Sequence, residues 1–377
     1  MGWLKLKEIN MRESHIRKLM SMYKEYEDLF KGENFNLFND SLKKNLEKSR
    51  KINIAEKMEK YKRNKVRIID ANDVEYPEKL KEVIDYPLFL YIKGEKYLSS
   101  ISPKEKSLLN EERRNIAVVG TRRFTKFGKS ACEKIVKELL SYNITLVSGL
   151  AEGIDTVALS TSAEKEGNMI AVVGSGLDIV YPYENKALWE KISETGILLS
   201  EYPLGTKPLK WNFPKRNRII AGLSDGILIA ESFRSGGALI TAELGFSMNR
   251  EIFAVPGFIN YPSFEGCNIL IRENKAKLVT CGEDIAKEFL WDLKRERSKV
   301  GKLTDKERAV FYQLNEEMSL EELLEKIENT LNNTDEYKII QENKIDVSVN
   351  DILSILMSLK LKGLITETGT AKYMRTV

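Results

Sequence analysis

From Asn115 to about Asp284 the chain alternates short β-branched runs with amphipathic segments, and this alternation restricts the possible folds more than any other feature. The runs are Ile116–Val119, Thr145–Val147, Met169–Val173, Ile197–Leu199, Ile227–Ala230 and Ile252–Val255. Each is apolar throughout rather than on alternate residues, which predicts strands covered on both faces. Between them lie segments such as Gly128–Ser141, where Ala131, Ile135, Val136 and Leu139 fall on one helical face. Strands and helices in strict succession predict a parallel sheet with helices on both sides, a doubly wound α/β fold.

Glycine follows most of these strands. Ile116–Val119 runs into Gly120-Thr121-Arg122-Arg123, Thr145–Val147 into Ser148-Gly149 with Gly153 close behind, and Met169–Val173 into Gly174-Ser175-Gly176. Ile227–Ala230 runs into Glu231-Ser232 and then Ser235-Gly236-Gly237, and Ile252–Val255 into Pro256-Gly257. In an open parallel sheet these strand ends share one edge, and ligands bind there at the topological switch point. Bare backbone and the N–H groups of the following helices favour anionic oxygens, so a phosphate-binding crevice is expected. Basic residues converge on the same edge: Arg122 and Arg123, and the run Phe213-Pro214-Lys215-Arg216-Asn217-Arg218. Arg216 and Arg218 have Glu201 and Glu231 as candidate structural partners, whereas Lys215, beside an aromatic ring and a proline, is expected to reach solvent and a phosphate.

The flanks differ in character. Residues 1–70 are polar and lysine-rich with a weak helical pattern, and Leu42–Arg67 is the richest basic stretch. Leu88–Ile92 reads as a strand, and Glu95–Arg114 as a surface connection. After a charged linker at Lys294–Lys302, Thr304 and Glu307 have the spacing of a capping box. Helical stretches at Ser319–Ile327 and Val349–Leu361, then strands Leu364–Glu367 and Ala371–Met374 around Thr368-Gly369, suggest a winged helix. The expected division is 1–70 helical, 71–290 α/β and 303–377 winged helix.

Composition narrows the chemistry. The hydrophobic fraction of 42% supports real cores, and 60 basic against 56 acidic residues leave a net charge of only +4, so the total charge gives no argument for nucleic acid. His15 is the single histidine. Serine–histidine and cysteine–histidine machinery, and metal sites built from several histidines, are therefore excluded. Cys132, Cys267 and Cys281 lie far apart in no metal or disulfide pattern. No apolar run reaches transmembrane length and no signal core opens the chain, so a cytoplasmic protein away from membranes is expected.

The ordered set IAVVGTRRFTKFG (Ile116–Gly128), Ser148–Asp155, Gly174–Asp178, Tyr181-Pro182 with Glu184-Asn185, Ser200-Glu201-Tyr202, FPKRNRIIAGLS (Phe213–Ser224), SGGALITA (Ser235–Ala242) and AVPG (Ala254–Gly257) resembles the DNA-processing protein A family, also called DprA or Smf. The resemblance runs from about Tyr76 to Asp284. It implies a Rossmann-like domain that binds single-stranded DNA, protects incoming strands and helps load RecA recombinase during natural transformation. It also implies a homodimer, without cofactor, metal or catalytic residue. Arg122 would then be the main contact in a pocket for a base or its phosphate, with Phe213, Lys215, Arg216, Asn217 and Arg218 along the backbone. Gly120, Arg123, Ser148, Gly149, Gly153, Gly174, Gly176, Ser235, Gly236 and Thr241 would shape the groove. Thr121 stands where the family usually has Ser, Glu152 where it is often basic, and Leu159 where it has histidine. Residues 1–70 match the family's small SAM-like helical domain only weakly.

Two other readings use the same crevice. Proteins of the related lysine-decarboxylase-like group cleave nucleoside monophosphates with an Arg and a Glu beside a Pro-Gly-Gly-x-Gly-Thr-x-x-Glu loop. SGGALITAE at Ser235–Glu243 keeps part of that spacing, but its second Gly-Thr pair is missing, and Glu243 is read as a helix N-terminal carboxylate. A nucleotide-sensing module is the other alternative. A strand, unlike a mononucleotide, needs a basic aromatic groove that continues beyond the pocket.

Overall fold

The structure, a computed structural model, describes residues 2–94, 114–291, 304–314, 318–333, 349–361, 364–368 and 372–375. The chain falls into two compact units, 1–292 and 293–377.

In the first unit a nine-stranded sheet has the order β1-β2-β6-β5-β4-β3-β7-β8-β9. The strands are β1 (Arg67–Asp70), β2 (Phe89–Lys93), β3 (Asn115–Val119), β4 (Thr145–Ser148), β5 (Asn168–Val173), β6 (Ile197–Ser200), β7 (Gly226–Ile229), β8 (Glu251–Ala254) and β9 (Lys277–Leu278). From β6 to β9 every neighbouring pair is parallel. Strand β2 runs antiparallel to both β1 and β6. The six alternating runs therefore form the sheet as expected, each buried along nearly its whole length. The chain builds outward from β3 through β4, β5 and β6, then returns to place β7 against β3. The switch point is thus β3/β7.

The crossover helices are Lys126–Leu140, Ile154–Glu164, Lys186–Thr195, Asn212–Leu223 and Gly237–Ser247. The first buries Cys132, Ile135, Val136 and Leu139, one stripe at helical spacing. Two sheet members carry little sequence signal. Strand β1 is a four-residue strand at the end of the basic stretch, and β9 has only two residues. Both are edges, where polar faces break the apolar pattern.

The N-terminal helices Leu4–Glu8, Glu13–Met22, Asp40–Arg50 and Ile54–Arg63 and the 3-10 helix Tyr26–Phe30 share the core of the sheet through Leu4, Leu6, Ile16, Leu19, Leu29, Leu46 and Tyr61. Tyr61 stacks on Tyr91 of β2 with ring centroids 5.4 Å apart. The basic stretch Leu42–Arg67 accordingly shows water its lysines and turns Leu46 and Tyr61 inward.

The second unit holds helices Asp305–Gln313, Leu320–Asn333 and Val349–Leu361, with strands β10 (Met318–Ser319), β11 (Ile365–Thr368) and β12 (Lys372–Arg375) in the order β10-β12-β11. Leu323, Ile327, Ile352, Leu356, Leu359 and Ile365 form its core. The strands begin one residue later than the sequence pattern suggests. Gly369 and the linkers 95–113 and 294–302 lie outside the described residues. Thr304 caps its helix through the expected box: its hydroxyl accepts from the Glu307 N–H, and its own N–H donates to the Glu307 carboxylate at 2.9 Å. Replacing Thr304 with Ala is expected to cost about 1 kcal/mol, read as faster amide exchange across Asp305–Gln313.

Candidate nucleic-acid interface

The site is built around the peptide of Gly149, at the end of β4. Its carbonyl accepts from Nη1 of Arg216 at 2.5 Å, and its N–H donates to Oδ2 of Asp155 at 3.1 Å. The same guanidinium reaches the Val172 carbonyl at the end of β5, and the same carboxylate also accepts from Ala151 N at 3.4 Å. Arg216 is only 4% exposed and Asp155 is buried. Burial pushes the Asp155 carboxyl up to about 6, against the pull of Arg216 and of backbone N–H groups, and brings Arg216 down to about 10. Both therefore stay charged at neutral pH, and each limits the cost of the other.

Arg216 belongs to the helix Asn212–Leu223, so the clamp also fixes where that helix begins. Asn212 supports it by donating from Nδ2 to the Gly174 carbonyl at 2.9 Å. Phe213, in the first turn, is thereby held over the ends of β4 and β5 with its ring 5.4 Å from that of Tyr181. Gly153 sets the opposite wall. Its φ is +93°, and a Cβ there would lie 2.2 Å from the Thr121 carbonyl oxygen and 2.5 Å from the Arg122 Cα. Glycine lets the loop after β3 lie flat on the next helix, whose Ile154 N–H donates to Thr121 O at 3.1 Å.

The result is a small pocket over β3, β4 and β5, lined by Arg122, Gly149, Glu152, Gly174, Tyr181 and Phe213 among others. Arg122 and Arg123 are exposed, and among the described residues neither has an ion-pair partner. The pocket thus offers an uncommitted guanidinium, two aromatic rings and bare backbone, with one acid, Glu152, exposed at its lip.

The switch point itself is occupied by the protein. Glu231, fully buried at the end of β7, accepts from Thr125 N at 2.9 Å and from the Thr125 hydroxyl at 3.2 Å, at the N-terminus of the helix Lys126–Leu140. A Cβ on Gly128 would lie 1.8 Å from the Glu231 carboxylate. The helix end expected to attract a phosphate holds an internal carboxylate instead, and the open pocket lies to one side of it.

Other expectations are redistributed. Arg218 pairs with Glu201 at 2.8 Å, one of the two partners anticipated, and with Asp85 at 3.0 Å. Arg216 takes neither Glu201 nor Glu231. Lys215 is not free: it pairs with Glu201 at 2.9 Å, although its side chain stays 42% exposed. Burial works to raise the Glu201 carboxyl, but Arg218, Lys7 and Lys215 outweigh it and hold it below the usual range. Ser148 is buried and donates to Val118 O, and Arg218 and Thr241 are also buried, so with Arg216 these four are framework. Gly120, Gly176 and Asn217 do not line the pocket. Ser235 and Gly236 line a separate depression with Ile240 and Glu243. Glu243 is not at a helix N-terminus: it lies midway along Gly237–Ser247 and pairs with Lys275 at 2.9 Å. In the sequence Tyr181 and Asp155 stand out only as members of their motifs. The signal for Asp155 was a carboxylate two residues after a strand-following glycine, at a helix start.

The clamp gives a stability prediction. Arg216→Met leaves Asp155 buried without its counter-charge and is expected to cost about 3–5 kcal/mol. The double change Arg216→Met with Asp155→Asn recovers part of that loss, measured as urea midpoints at neutral pH.

Comparison with known proteins agrees with this architecture. The family described as DNA recombination-mediator protein A matches residues 67–290. The DNA processing protein DprA of Streptococcus pneumoniae is 43% identical over 214 residues, 57% of this chain and 71% of that protein. Its namesake from Bacillus subtilis is 37% identical over 229 residues, 61% and 73% respectively. The crystal structure of the pneumococcal protein superposes with a TM-score of 0.64 at 34% identity, covering 76% of this chain and 98% of that one. The Helicobacter pylori DNA processing protein A, solved to explain its single-stranded DNA binding mode, gives 0.52 at 26% identity, covering 60% and 95%. With its sheet, its ordered motifs and the matched span from residue 67 to 290 all in agreement, the chain belongs to the DNA recombination-mediator protein A family.

Proposed function

We propose that this chain binds single-stranded DNA in the pocket over β3, β4 and β5, with Arg122 on a phosphate and the Tyr181 and Phe213 rings against bases. The observation that carries this reading is the set of side chains left uncommitted there. Arg122 has no partner among the described residues, and two rings 5.4 Å apart flank it. Cation and ring together suit a strand, because every base has a stacking face and every nucleotide a phosphate. The switch-point seat that serves dinucleotides in related folds is filled by Glu231. Glu243 is paired with Lys275, and Arg234 beside it with Glu265, so the acid and the arginine of that depression are both engaged within the protein, which favours strand binding over nucleotide cleavage.

The wider role rests on family membership and on the names of the relatives. The chain protects incoming strands and helps load RecA recombinase during natural transformation, as a cytoplasmic homodimer and without enzymatic activity. No helix among the described residues is long and apolar enough to cross a membrane. The unit after residue 292 serves as a winged helix. Lys360 is paired with Glu367, Lys372 is exposed, and Glu321, Glu322 and Glu325 add acidity, a balance that suits partner contact better than DNA.

Arg122→Ala tests the pocket directly. Affinity for labelled single strands, followed by fluorescence anisotropy across a salt series, is expected to fall about tenfold or more. The slope of log K against log salt becomes shallower by roughly 0.7, one phosphate contact. The melting temperature is expected to stay at the wild-type value, since Arg122 is exposed and has no ion-pair partner among the described residues. Unchanged affinity would remove the pocket from the account.

A further inference from the structure

A cleft of about 1500 Å³ separates the N-terminal helices from the sheet edge, lined on one side by Arg12, Lys18 and Lys57 and on the other by Lys207, Trp211 and Lys215. It is far larger than the pocket that holds Arg122, and the family motifs do not explain it, since half of its wall comes from residues before the matched span. It adjoins that pocket through one helical turn. Asn212 and Lys215 face the cleft, while Phe213 between them lines the pocket.

The charges lining the cleft do not cancel. Its acids are committed: Glu8 to Lys57 at 2.9 Å, Glu13 to Lys7, and Asp85 to Arg218 at 3.0 Å. Lys215 is shared with Glu201. Arg12, Lys18 and Lys207 remain, all exposed and without an ion-pair partner among the described residues. Trp211 stands at the junction with 70% of its surface exposed. Ile84 and Leu209 are also exposed on the wall of this cleft, so the ring belongs to an apolar patch of the kind that marks a binding surface. A bare indole among unpaired cations fits a nucleic acid strand: bases stack on it, and the phosphates between them meet Arg12, Lys18 and Lys207.

We infer that the strand leaves the Arg122 pocket past Phe213, stacks on Trp211 and continues into this cleft, so that the N-terminal helices form a second wall of the DNA-binding groove. This rests on the strand-binding reading of the pocket and extends it to residues outside the matched family span.

The test compares oligo-dT of about six nucleotides, enough for the pocket, with oligo-dT of about twenty. Anisotropy is measured with the full chain as wild type, as Arg12→Glu with Lys18→Glu, and as Trp211→Ala. All three positions are exposed, and thermal melts confirm that each variant is folded. The charge reversal is expected to leave affinity for the short strand within about twofold, since Arg12 and Lys18 line the cleft and not the pocket, and salt screens exposed charges. It should weaken the long strand about tenfold and lower its salt slope by roughly 1.4, two phosphate contacts. Trp211→Ala is expected to weaken the long strand roughly fivefold or more. If both variants bind both lengths as wild type does, no strand enters the cleft and an acidic protein segment becomes the alternative occupant, while the pocket reading stands. If the wild type binds neither length, both readings fall together.

Discussion

The buried guanidinium of Arg216 ties three separate pieces of chain to one point. It bonds the carbonyls that end β4 and β5 and fixes the helix that begins at Asn212, while Asp155 takes the N–H of the same residue, Gly149. Carbonyls at the end of a parallel strand have no ladder partner, and burying them unbonded costs free energy. Both bonds leave Nη1, whose two N–H bonds are fixed in the guanidinium plane, whereas the donors of a lysine ammonium rotate freely. The cost is a charge inside the protein, limited by Asp155 across Gly149. The position of Phe213, and hence the shape of the pocket, follows from this clamp.

A second buried charge decides where the site is not. Glu231 gives the helix at Lys126–Leu140 the anion that its N-terminus favours, and Gly128 makes room for it. An external phosphate would have to displace a carboxylate that already bonds Thr125 twice. The open pocket accordingly lies across β3, over β4 and β5. In the proposed function, a fold whose usual ligand is a dinucleotide at the switch point takes instead a strand that lies along the edge.

The sheet was largely legible from the sequence, because strands buried on both faces leave apolar runs that nothing else in a soluble chain needs. Strands β1 and β9 were not, since edge strands carry charge and resemble loops. The site was legible as a neighbourhood rather than as a set of roles. Lys215, Arg216 and Arg218 are indistinguishable cations in one run, yet one helical turn gives them different depths: Arg216 lies under the pocket, Arg218 is buried against Glu201, and Lys215 lies at the surface, sharing the same carboxylate. Arg122 and Phe213 line one pocket, whereas Ser235 and Gly236 face a different depression because β7 lies on the far side of β3. The occupation of the switch point by Glu231 had no local signature, since it depends on two segments 106 residues apart.

The most direct measurement is photo-crosslinking of a bromodeoxyuridine-substituted single strand to the full-length protein, with the attached peptides identified by mass spectrometry. The account predicts crosslinks on the segments that carry Tyr181 and Phe213, the rings set against bases by the Arg216 clamp. Crosslinks confined to the Ser235–Ile240 loop or to the unit after residue 292 would contradict it.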